Sequence, residues 1–120
     1  MDASAEGMDD LYVFAKEKLA VGNKVYVGLS GFSKKSTPQS EIDNDENRLM
    51  KEGRMQKKVA QKYLVLSPFD GEPGHNRARL GESWLIRQLG LDRLINERHG
   101  GAGRPPIFDE IGAVFVLVGE

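Results

Sequence analysis

Between Asp9 and Gly22, apolar residues recur at three- and four-residue spacing. Leu11, Phe14, Ala15 and Leu19 form the stripe, and this spacing predicts a short amphipathic helix. Asp9 and Asp10 suit its amino end, and Gly22 stops the pattern. Lys24 to Leu29 (KVYVGL) is β-branched and aromatic, which predicts a strand, and Ser30 to Gln39 reads as a polar loop. Ser40 with Asp43 resembles a capping box ahead of a helix over about 40–62, the longest element expected. Its apolar stripe is thin: Ile42, Leu49, Met50, Met55, Val59 and Ala60, with Gly53 in the middle. A helix with so narrow a stripe lies mostly in water.

The run Tyr63 to Leu66 predicts a buried strand, ended by Ser67 and Pro68, and Phe69 to Arg77 reads as a turn-rich loop. Leu80 to Leu89 is helical, with Trp84, Leu85 and Leu89 at its core face and Gly90 at its end. Asp92 then caps a second short helix through about Arg98, and the Gly- and Pro-rich stretch 99–106 is a loop. Ala113 to Val118, six apolar residues in a row, reads as the most deeply buried strand. Strands alternating with helices favour parallel pairing, because a helical crossover returns the chain to the same end of a sheet. The expected fold is therefore α/β: a single small domain with about three mostly parallel strands and three to four helices.

The chain has 120 residues, of which 39% are hydrophobic, enough for one core. Residues 1–7 read as a flexible N-terminus and 8–120 as the domain. With no cysteine there is no disulfide framework, thiolate metal site or Cys nucleophile. No apolar run approaches the roughly 18 residues of a membrane span, and the acidic start lacks a secretory leader's character. A cytoplasmic protein without a membrane partner is expected.

The net charge of −1 conceals segregation. Residues 1–47 carry five basic and nine acidic groups, residues 48–104 twelve and six, and residues 105–120 none and three. On a helix over 40–62, Arg48, Lys51, Lys58 and Lys62 would share one side, a stripe able to meet an acidic partner or a phosphate backbone. Glu41, Asp43, Asp45 and Glu46 at the amino end would make the same helix suited to head-to-tail association.

Three further segments carry candidate chemistry. The first loop offers an anion site at Lys34 and Lys35, although its spacing fails the P-loop pattern. The second places Asp70, Glu72 and His75 within six residues, a weak metal or acid–base candidate with nothing elsewhere to complete it. Residues 82–98 resemble a helix-turn-helix, which would bring Arg93, Asn96 and Arg98 toward DNA. That resemblance departs at Ile86, where the crossing helices need a small residue, and at Asn96, where an apolar one belongs.

No residue set makes a catalytic constellation. The expectation is a non-enzymatic assembly or protein-interaction subunit, without a cofactor, using the charged helix at about 40–62 and the adjacent loops. Two alternatives remain: nucleic-acid binding through the basic helix and the hairpin 82–98, and a phosphate-ligand or metal-assisted site at loops 30–39 and 69–77.

Overall fold

The computed structural model describes residues 7–32, 38–56, 58–67, 74–96 and 111–119. Along the chain these form α1 (Met8–Ala20), β1 (Lys24–Phe32), α2 (Pro38–Lys51), β2 (Lys58–Ser67), α3 (Gly74–Leu89), a 3-10 turn (Leu91–Arg93) and β3 (Ile111–Gly119). The strands lie in the order β1-β3-β2.

The expected mostly parallel sheet is overturned, because both ladders are antiparallel. β1 pairs with β3 from Lys24 opposite Gly119 to Phe32 opposite Ile111, and β2 pairs with β3 from Lys58 opposite Gly119 to Ser67 opposite Gly112. β1 and β2 therefore do run the same way, as a helical crossover requires, but they are not neighbours. β3 lies between them and runs in the opposite direction. A continuous apolar run reports burial on both faces, and a central antiparallel strand covered by helices on each side meets that condition as well as a parallel one.

Helices cover both faces. On one, α1 and α3 bury Met8, Leu11, Ala15, Leu85, Ile86 and Leu89 against Val25, Val27, Val114, Val116 and Val118. On the other, Ile42 and Leu49 of α2, with Met55, pack on Phe115 and Leu117. Alternate β3 side chains thus serve opposite layers, and every residue from Gly112 to Gly119 is buried. Gly28 faces Phe115 directly across the ladder, and a Cβ on it would clash with Cζ, Cε1 and Cε2 of the Phe115 ring. The missing side chain is the space the ring occupies.

The long helix over 40–62 does not exist. α2 ends at Lys51 because Gly53 adopts φ +73°, and the turn closes with Gly53 N–H donating to Met50 O at 3.1 Å and Arg54 N–H to Leu49 O at 2.9 Å. This is the two-bond closure that a left-handed glycine permits after a helix. Its twin ends α1, where Gly22 at φ +92° donates to Leu19 O and Asn23 to Lys18 O, each at 3.0 Å. The stripe expected on one helix falls in three places: Ile42, Leu49 and Met50 on α2, Met55 in the turn, and Val59 and Ala60 on β2. Helix α2 also begins earlier than the Ser40 cap, at Pro38, whose fixed φ suits a first helical turn.

Three other expectations need correction. The second helix of the 82–98 hairpin is only the 3-10 turn, and Leu94 is already extended at φ −109°, ψ 162°. In place of a helix, residues 95 and 96 lie along the outer edge of β1. Ile95 N–H donates to Val25 O at 2.8 Å, and the Asn96 side chain bonds Val27. The loop expected over 69–77 is also shorter, since α3 starts at Gly74, and β1 extends to Phe32 within the loop expected over 30–39.

Candidate interaction surfaces

The four members of the expected basic stripe do not share one helix: Arg48 and Lys51 lie on α2, and Lys58 and Lys62 on β2. Arg48 belongs to the α2 layer and turns inward along the surface. Its guanidinium lies 5.9 Å from the Tyr26 ring centroid, donates to Tyr26 Oη at 3.2 Å, and pairs with Asp45 at 3.5 Å and Glu52 at 3.6 Å. Lys51, at the end of α2, is exposed. Lys58 opens β2, and Lys62, four residues along that strand, is exposed with its Nζ 5.9 Å from the Phe14 ring centroid of α1.

Arg93 is exposed on the 3-10 turn, whereas Asn96 is committed to the fold: its Oδ1 accepts from Val27 N–H at 2.8 Å and its Nδ2 donates to Val27 O at 2.7 Å. His75 falls in the first turn of α3. Lys34, Lys35, Asp70, Glu72 and Arg98 lie outside the described residues, as do residues 1–6 of the expected flexible terminus. Among the described residues, no three His, Asp or Glu side chains gather as they would around a metal ion.

Sequence reasoning gave no role to Arg54, which latches two segments together. It donates to Ile95 O at 2.6 Å and pairs with Glu52 at 3.0 Å, so the turn after α2 holds the strip that edges β1. Tyr26 sits within the same arrangement. Burial, helped by the negative charge of Asp45, raises its phenol above the usual value against the opposing pull of Arg48. These groups tie α2, β1 and residues 95–96 to one another.

Of the exposed large apolar side chains, Met50 lies on α2, Val21 follows α1, and Val13 and Leu80 lie on α1 and α3. In the α1–α3 layer, Tyr12 and Trp84 meet with ring centroids 6.2 Å apart and planes tilted by 59°. Val13, beside Tyr12 in sequence, is 51% exposed, and Leu80, one turn before Trp84, is 54% exposed. At 100° per residue both project from the outer side of their helices, Leu80 almost opposite the core-facing Ala78, Leu85 and Leu89. Lys16, with Nζ 5.6 Å from the Tyr12 centroid, and the exposed Glu17 and Arg87 provide charge around them. The available signal was Val13 and Leu80 standing off the core-facing stripes as large apolar residues.

No helix among the described residues is long and apolar enough to cross a membrane. No protein-family model matches the chain, and no curated protein or solved structure matches it with significance.

Proposed function

We propose that this chain is a non-enzymatic assembly subunit that associates with a second copy of itself through the outer face of the α1–α3 layer. The observation that carries the reading is the half-exposure of Val13 and Leu80 on the two helices whose Tyr12 and Trp84 rings meet. Single exposed apolar residues are ordinary, but two on the outer sides of helices joined by an aromatic contact offer apolar area on one layer. Such a surface is complementary to itself under a two-fold axis, so each apolar side chain gains burial twice in the assembly. Charged Lys16, Glu17 and Arg87 supply a polar rim of both signs.

The charged helix is a poorer docking element than its sequence suggested. Arg48 and Arg54 are engaged with Tyr26, Asp45, Glu52 and the Ile95 carbonyl, and freeing them would loosen the edge of β1. Sedimentation over a range of concentrations tests the proposal, with Leu80→Asp as the variant that separates association from folding.

A further inference from the structure

Two lysines from different elements converge on one ring. Lys18, in the last turn of α1, has its Nζ 5.5 Å from the Phe14 centroid, and Lys62 of β2 has its Nζ 5.9 Å from the same centroid. The ring holds both aliphatic stems and gathers two positive charges that repel each other. The ion pairs Arg48–Asp45, Arg48–Glu52 and Arg54–Glu52 involve neither lysine. Lys24 and Lys58, the first residues of β1 and β2, flank Gly119 at the end of the sheet nearest the α1 C-terminus. Lys24 is exposed there, so a third lysine stands at the end of the sheet toward which the Lys18 and Lys62 pair lies.

We infer that the Lys18–Phe14–Lys62 surface docks the phosphate backbone of nucleic acid. Lysine ammonium groups on flexible stems are point charges suited to successive phosphates, without the planar fork that selects one carboxylate. They would make contacts indifferent to base sequence. This surface is independent of the Val13 and Leu80 patch, so either assignment can fail alone.

The test is fluorescence anisotropy with a labelled duplex DNA at 50 and 200 mM salt. Two phosphate contacts predict an affinity that falls about tenfold between those salt concentrations. Lys18→Glu with Lys62→Glu should abolish binding at 50 mM salt, and Lys18→Gln with Lys62→Gln, which keeps the stems over Phe14, should weaken it in the same direction. Lys51→Glu, on the opposite layer, should leave it unchanged. No binding by the parent protein at 50 mM salt overturns the inference, as does an equal loss in Lys51→Glu. Displacement of the DNA by polyglutamate at equal charge as readily as by unlabelled duplex overturns the assignment to phosphate. Circular dichroism and urea midpoints matching the parent confirm that the variants fold.

Discussion

The Asn96 side chain holds Val27 by both backbone groups, accepting from its N–H at 2.8 Å and donating to its carbonyl at 2.7 Å. An amide side chain thereby stands in for the peptide of a neighbouring strand. With Ile95 bonded to Val25, it closes part of the outer edge of β1, which would otherwise offer unpaired groups to other chains. Removing the amide in Asn96→Ala should cost about 2 kcal/mol, two net hydrogen bonds, in urea unfolding. Asn96→Asp, which keeps the acceptor but turns a second oxygen on the Val27 carbonyl, should cost at least as much as Asn96→Ala. Exchange of the Val27 amide hydrogen should accelerate in both; an unchanged rate would show that the clamp does not protect the edge.

Glycines 28 and 53 separate steric from conformational need. Nothing stands within 4 Å of a Cβ at Gly53, so Gly53→Ala meets only the cost of its positive φ, about 1 kcal/mol. Gly28→Ala would drive a methyl into Phe115 and should lose about 3 kcal/mol or more. Adding Phe115→Leu to Gly28→Ala should recover part of the loss, measured by the same unfolding curves. Equal penalties at the two glycines would mean the ring does not occupy the space above Gly28.

Tyr26 should make stability fall at alkaline pH. Burial and Asp45 raise its folded pKa above the ordinary 10.0, so the folded state keeps a proton that the unfolded chain gives up. The contribution is fully present below pH about 10 and is lost as pH rises toward the folded pKa, by about 1.4 kcal/mol per pH unit. Tyr26→Phe should remove that part of the slope. At neutral pH it should cost less than about 1 kcal/mol, because Arg48 is half in water. Identical slopes in the parent and Tyr26→Phe between pH 9 and 11 would contradict the burial of the phenol.

What the sequence disclosed follows from what is local. The α1 stripe ending at Gly22, and the runs at Lys24–Leu29 and Ala113–Val118, are short-range signals, and each falls within a helix or strand of the kind expected. Gly53 was a local signal too, but a glycine inside a helical pattern is also compatible with continued helix at a cost of about 1 kcal/mol. Its left-handed conformation is what divides α2 from β2 and sends Lys58 and Lys62 into a strand. Strand direction was not legible, because the burial that makes β3 uniformly apolar carries no information on the direction of its neighbours. Asn96 contacts Val27 across 69 residues of sequence, and no periodicity links them. Likewise, Lys18 and Lys62 become neighbours only when α1 packs over β2.

Self-association through the α1–α3 layer is tested most directly by sedimentation equilibrium of the parent protein and Leu80→Asp from micromolar to millimolar concentration. Self-association predicts a parent mass rising toward twice the 13.3 kDa of one chain. Leu80→Asp should remain at 13.3 kDa throughout, with an unchanged unfolding midpoint, because Leu80 is outside the core. A parent protein that stays monomeric to millimolar concentration, or a Leu80→Asp variant that associates as well as the parent, would contradict it.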